Sequence, residues 1–283
     1  GGVNVTGIYV TAFLLSGLIA GLCGGVEVSG SYHRFNPNFS KNMSWDGIMI
    51  TRFREQCRIP SGMRIYLRDS QSGMHWFATD PMLEGFTEFQ TAQAVFVRSR
   101  FHVESTLRIF VNPLDGTVLH HLTLKNESSA ERMMEVCSYL ELALASQRDD
   151  AAHPAFQNLF VETTRIGRYG VMAVRRPRKA GQESLRLMHT MGTDSALNGC
   201  QVQTDRSLFI GRGSTIYAPR SLEISISAMG DVVGAVIEPC ASLRAQFVLP
   251  AGGQVQFIFA TLLAAPQDTP AALAERYALP ESA

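Results

Sequence analysis

Residues 107–124 read Leu-Arg-Ile-Phe-Val-Asn-Pro-Leu-Asp-Gly-Thr-Val-Leu-His-His-Leu-Thr-Leu. Two apolar, β-favouring runs, 107–111 and 118–124, flank Asn112-Pro-Leu-Asp-Gly116. An Asp-Gly pair tolerates the positive φ that a tight reversal needs, so the stretch predicts a β-hairpin. Outward from it the same punctuation recurs. Met63-Arg-Ile-Tyr-Leu-Arg68 alternates, Asp69-Ser-Gln-Ser-Gly73 supplies turn residues, and Met74-His-Trp-Phe77 resumes the strand pattern. Further on, Ser221–Ser227, Ala241–Val248 and Gln254–Ala260 read as strands, with Gly252-Gly253 turning between the last two. Met134–Leu144 fits helix or strand by periodicity, and its place straight after a hairpin favours strand. Only Thr269–Tyr277 reads as helix, with Thr269 as N-cap and Pro270 at the first helical position. Strands at this spacing predict an all-β fold, one large β-sandwich rather than βαβ units.

The chain has 283 residues, 46% hydrophobic and 18% charged. A fold of that length buries roughly 75% of its unfolded surface and needs no disulfides to sustain a core. Its 25 basic and 25 acidic residues cancel, which argues against nucleic acid as a partner, because phosphate neutralisation requires a basic surplus. Cys23, Cys57, Cys137, Cys200 and Cys240 are scattered with no CxxC spacing. They read as buried free thiols, and no metal site or cofactor is expected. Residues 1–28 form an apolar segment whose first 26 residues carry no charge; it suits divergent strands or a membrane-adjacent stretch, strands being favoured. The sequence opens without methionine, and a piece of a longer polypeptide is expected.

Enzyme signatures such as GxSxG, a Walker loop or HExxH do not occur. Asp149-Asp150 are expected in a solvated turn before His153, since neighbours on a strand would point to opposite faces. The same geometry puts one of His120 and His121 toward the core and the other toward water. The basic run from Arg165 to Lys179 is expected to be a solvated loop broken at Pro177. More informative is Thr204–Gly213, TDRSLFIGRG. Burying Leu208-Phe209-Ile210 draws Asp205, Arg206 and Arg212 to the edge of the core, where charges must be paired or hydrogen-bonded. A charge lattice pinning a loop to the sheet is the expected reading, with an arginine fork for sugar hydroxyls or phosphate as the functional alternative.

The series IYLRDSQSGMHW (65–76), SYLELALA (138–145), HPAFQNLFVET (153–163), AVRRPR (173–178) and TDRSLFIGRG (204–213) resembles one family. It is the β-sandwich domain of the carbohydrate phosphorylases of glycoside hydrolase family 94, formerly glycosyltransferase family 36, and within it the cyclic β-1,2-glucan synthases. The resemblance runs from about Ser29 to Tyr277. It implies a supersandwich over 29–268, of galactose-mutarotase-like type, and the start of a helical linker at 269–283. Phe13-Leu-Leu-Ser16 and Gly30-Ser-Tyr32 match the family's opening only loosely.

In that family the sandwich precedes an (α/α)6 barrel that carries the general acid of an inverting phosphorolysis, so this chain alone is expected to be non-catalytic. The resemblance implies packing on that barrel, contact with a β-glucan oligosaccharide, and a homodimer as a candidate assembly. Trp76, His153, Phe156, Asp205, Arg206 and Arg212 are the residues expected to meet substrate or the partner domain. The implied location is the cytoplasm, or the cytoplasmic face of the inner membrane within a synthase. A free-standing carbohydrate-binding module is the alternative. A small epimerase-like enzyme, drawing on His102, His153, Glu141 and Glu162, is a third reading.

Overall fold

The computed structural model describes residues 48–51, 63–177, 184–226, 230–264 and 268–279. The apolar segment 1–28 lies outside the described residues, as do Cys23 and Cys57. Two sheets stack face to face. The first orders its strands β12 (Leu197–Asp205), β14 (Pro239–Leu249), β8 (Arg132–Ser146), β2 (Met63–Asp69) and β3 (His75–Phe77), and β1 (Ile48–Thr51) also pairs with β8. The second orders them β13 (Gly234–Ala235), β9 (Val161–Ile166), β10 (Gly170–Arg175), β11 (Leu185–Thr193), β15 (Gln254–Ala264), β7 (Val118–Asn126), β6 (Val103–Val111), β5 (Gln93–Arg100) and β4 (Glu84–Phe89). Within each ladder the neighbours run antiparallel. The fold is the expected all-β sandwich.

The 107–124 hairpin forms as read. Val111 pairs with Val118, and Gly116 takes φ 70° in the turn. Facing side chains of the two sheets make the main core, Ile65, Leu67, Val136, Leu243 and Phe247 from one meeting Leu107, Leu122 and Phe257 from the other. Phe247 and Phe257 touch edge to face across the gap, 4.8 Å between ring centroids. Each fully buried side chain of this kind is worth roughly 1.5–3 kcal/mol.

β2 is buried at every position and β8 at all but its ends. Both faces of this sheet are therefore covered, which removes the period-2 signal and explains why 134–144 read equally as helix or strand. The cover on the outer face is the excursion between β12 and β14. It contains the short helix α3 (Arg206–Ile210) and the helical turn α4 (Arg220–Glu223), whose Phe209, Ile210 and Leu222 pack on Tyr66, Phe77, Cys137, Tyr139 and Cys240 of the sheet.

Other expectations need correction. Ser221–Ser227 is not a strand over its described part, 221–226, because Arg220–Glu223 turns as a helix. Its carbonyls are taken by an arginine instead of a neighbouring strand: Arg244 donates to Ser221 O and Ile224 O. Asp149 and Asp150 lie in helix α1 (Gln147–Ala152), capped by the Ser146 hydroxyl, and Asp150 is buried. Acidic residues in a first helical turn complement its dipole. A second short helix, α2 (Pro154–Asn158), follows. The segment 165–175 is largely strand, and Arg175 is buried against Gln157. His120 is buried, whereas His121 bonds Gln256 at 2.8 Å. Cys137 and Cys240 are buried free thiols, and burial pushes Cys137 up to about 12.

The tail forms helix α5 (Pro270–Arg276), with Thr269 at the N-cap position and Pro at the start. Tyr277 is fully buried behind it, its hydroxyl donating to Asp115 Oδ2 at 2.8 Å in the 112–117 turn. Arg276 reaches the same carboxylate at 2.9 Å.

Candidate functional site

The site grows from the end of β12. Asp205 is extended, and its Oδ1 accepts from the Ser207 amide at 2.8 Å and the Ser207 hydroxyl at 2.7 Å. A carboxylate used this way is an N-cap, worth about 1 kcal/mol to a helix. Asp205 is thus a cap and not the partner of Arg206. In the five-residue helix it starts, Phe209 and Ile210 are buried and Leu208 is half exposed. Phe209 stacks on Tyr139 with centroids 4.5 Å apart.

Arg206 turns back over the sheet. Its Nε donates to Glu141 Oε1 at 2.9 Å and its Nη1 to Glu238 Oε2 at 3.2 Å. The Tyr139 hydroxyl donates to the same Glu141 oxygen at 3.2 Å. Burial works against the guanidinium's charge, but the bond and charge of Glu141, with Tyr139 and Glu238, outweigh it and raise its pKa above the ordinary value. Sheet register brings the three together: Cys240 is opposite Glu141, and Pro239 is opposite Asp205. Of the expected Asp205–Arg206–Arg212 lattice only Arg206 is ion-paired, and its partners are Glu141 and Glu238.

Further along the outer face, Glu135 sits between two arginines. Arg68 Nη1 reaches its Oε1 at 2.8 Å, and Arg244 Nε reaches its Oε2 at 2.8 Å. All three are buried, leaving one positive charge in excess. Arg244 also holds Ile224 O at 2.8 Å and binds Ser221 O, so the excess charge lies directly under α4.

Between α3, α4 and the 230–232 segment is a cleft of about 470 Å³ whose lining includes Gln203, Leu208, Arg212, Arg220, Ile224 and Val232. Arg212 and Arg220 are exposed. Gly211 allows the end of α3 to pack on the Arg220 stem: its φ is 84°, and a Cβ there would sit 2.6 Å from Arg220 Cβ.

His153 and Phe156 lie beside this region. His153 is exposed between α1 and α2, and Phe156, 44% exposed, meets Phe160 edge to face at 5.2 Å. Asn158 of the same helix donates to Ile237 O at 3.0 Å, next to Glu238. That bond ties the end of α2 to the segment that leads into Glu238. Trp76 is elsewhere. It is 3% exposed in the inter-sheet core, edge-on to Phe101 at 5.9 Å and 5.7 Å from the Arg100 guanidinium.

Glu238, Arg220 and Arg244 escaped the sequence reading. Their roles rest on long-range contacts that one sequence does not show: Glu238 meets Arg206, Arg244 meets Glu135 and the carbonyls of α4, and Arg220 lines the cleft. For the epimerase-like set, Glu141 is tied to Arg206 and Tyr139, His102 lies in the β5–β6 turn, and Glu162 is exposed on β9.

Two stacked antiparallel sheets, one with its outer face covered by a helical excursion, define a large β-sandwich domain. The family model of the glycosyl hydrolase 94 supersandwich domain matches residues 39–280, and the chain belongs to that family. It is 29% identical over 248 residues to the cyclic beta-(1,2)-glucan synthase NdvB of Rhizobium meliloti (strain 1021), a match that takes in 84% of this chain but 9% of that protein. Among solved structures, a polysaccharide lyase aligns over 75% of this chain and 27% of its own, with TM-score 0.42 and 11% identity. A bacterial glucoamylase complexed with acarbose aligns over 75% and 28%, with TM-score 0.40 and 9% identity. A kojibiose phosphorylase assigned from the human microbiome aligns over 75% and 24%, with TM-score 0.37 and 7% identity. No helix among the described residues is long and apolar enough to cross a membrane.

Proposed function

We propose that the chain is a non-catalytic domain of a larger β-glucan transferase or phosphorylase of the cyclic β-1,2-glucan synthase type. It packs on the (α/α)6 catalytic domain and forms one wall of the sugar cleft, in the cytoplasm or at the cytoplasmic face of the inner membrane. The family match over 39–280, on a chain that spans 9% of its curated relative, carries this reading.

The surface around Arg206 supports it. Leu208 and Ile237, 50% and 77% exposed, are close in sequence to Arg206 and Glu238, and Phe156 and Leu159, 44% and 55% exposed, lie on the segment that Asn158 bonds to Ile237. Apolar side chains gathered around a fixed charge pair mark a face that another surface covers. Aromatic faces also stack on the apolar faces of pyranose rings, while Arg and His bond hydroxyls. His153, Phe156 and Arg206 fit that chemistry here.

Incubating the purified chain with β-1,2-linked glucose oligomers and inorganic phosphate tests the non-catalytic part. No sugar phosphate above the blank is expected. Turnover that falls in a Glu141→Gln variant would give this chain a catalytic role and sink the proposal.

A further inference from the structure

The α3–α4 cleft carries arginine charges that no ion pair among the described residues takes up. Arg212 and Arg220 both line it, both are exposed, and neither has a hydrogen bond or ion pair among the described residues. Gly211, the residue before Arg212, packs directly on the Arg220 stem, and both arginines border the same cleft. Like charges brought together without a counter-charge repel, unless an anion joins them.

The neighbouring acids are committed or point to no partner. Asp205 caps α3, and Glu238 and Glu141 hold Arg206. Glu223, three residues after Arg220, is exposed and forms no ion pair among the described residues. Beneath the floor, the Arg68–Glu135–Arg244 cluster adds one buried positive charge, delivered to Ser221 O and Ile224 O by Arg244.

Gln203 supplies a third group. It is 3% exposed and lines the cleft. Its Oε1 accepts from the Asp205 amide at 2.9 Å, which fixes the amide orientation and leaves its NH2 without a partner among the described residues. Leu208, Ile224 and Val232 make the apolar part of the lining.

We infer that this cleft binds a phosphate monoester. Arg212 and Arg220 take the phosphate oxygens as charge-assisted donors, the Gln203 NH2 gives a further bond, and the apolar lining holds the organic group. Guanidinium forks match phosphate geometry, and a dianion suits two free cations above a buried third. Leu208 borders both this cleft and the surface around Arg206–Glu238, but His153, Phe156 and Ile237 line only the latter, so a loss confined to the Arg212 and Arg220 variants and one confined to Phe156→Ala tell the two readings apart.

The test is calorimetric and amide-NMR titration of the purified chain with phenyl phosphate at low salt. Saturation in the millimolar range is expected, weakened about tenfold or more by either Arg212→Ala or Arg220→Ala. Both side chains are exposed and unpaired, so both variants should melt where the parent does. Leu208→Asp, which adds a negative charge at the wall, should also abolish binding. Absence of saturation, or undiminished binding in the double alanine variant, overturns the site. Equal binding of inorganic phosphate would overturn the ester assignment, and equal binding of benzoate would overturn the dianion.

Discussion

The Arg206 guanidinium bridges two carboxylates from different strand ends, Glu141 at 2.9 Å and Glu238 at 3.2 Å. It ties the end of β12 to β8 and to the start of β14, and so fixes where the 206–224 excursion leaves the sheet. Glu141 is 7% exposed at its side chain and Arg206 25%. Removing the arginine therefore leaves a nearly buried carboxylate without this ionic partner, while the Tyr139 hydroxyl still bonds it.

From that geometry, Arg206→Ala should cost about 2 kcal/mol of stability, since one partner of a largely desolvated pair is lost. Arg206→Ala combined with Glu141→Gln should cost less than the sum of the two single changes. Urea unfolding of all four proteins measures this. Strict additivity would show that the pair does not act as a unit.

Acid should destabilise the fold well above the carboxylate range. Burial holds His120 down at about 4, and burial followed by the charge of His120 holds His189 down at about 3. His189 lies between the Ser138 and Thr261 hydroxyls at 2.8 and 2.9 Å. Both are lowered from 6.5, so the unfolded chain takes up protons first as pH falls. No penalty exists above pH 6.5, and it grows from there down to the folded values. At two pH units below the unfolded value each histidine costs roughly 3 kcal/mol. Urea midpoints measured at successive pH values should fall across this window, and a His120→Leu variant should flatten the fall. A midpoint independent of pH across it contradicts the assignment of neutral buried histidines.

Tyr277 fastens the tail to the turn of the β6–β7 hairpin. Its hydroxyl meets Asp115 at 2.8 Å and Thr117 at 3.2 Å. Burial works against the Asp115 carboxylate, but bonds from Thr117, Tyr277 and Arg276 hold its pKa below the usual value. Tyr277→Phe should cost about 1 kcal/mol and speed proteolysis within 268–279 while leaving the strand core protected. Unchanged proteolysis would mean that ring burial alone holds the tail.

Turn chemistry and alternation made the sandwich legible. Asp115-Gly116, Gly252-Gly253 and Thr269-Pro270 each sit where local rules alone place them. Ser221–Ser227 alternates as a strand should, yet Arg244, twenty residues away and on another strand, claims its carbonyls and bends it. The 147–158 helices were hidden by their brevity: each is a turn or two, the first capped by Ser146 and the second with no side-chain cap. In TDRSLFIGRG the burial of Phe209 and Ile210 was readable, as was a need to satisfy the arginine charge. The partners were not, because Glu141 and Glu238 meet Arg206 only through strand register. Trp76 was chosen for its residue type, and type does not tell which face of β3 is covered.

The central claim is that the surface around Arg206, Phe156 and Ile237 serves a β-glucan-handling protein. Amide NMR of the purified chain during titration with β-1,2-linked glucose oligomers tests it most directly. The account predicts saturable shifts confined to residues 153–159, 205–208 and 237–238, lost in a Phe156→Ala variant that melts normally. No saturable shift there, or shifts that persist in that variant, would contradict it.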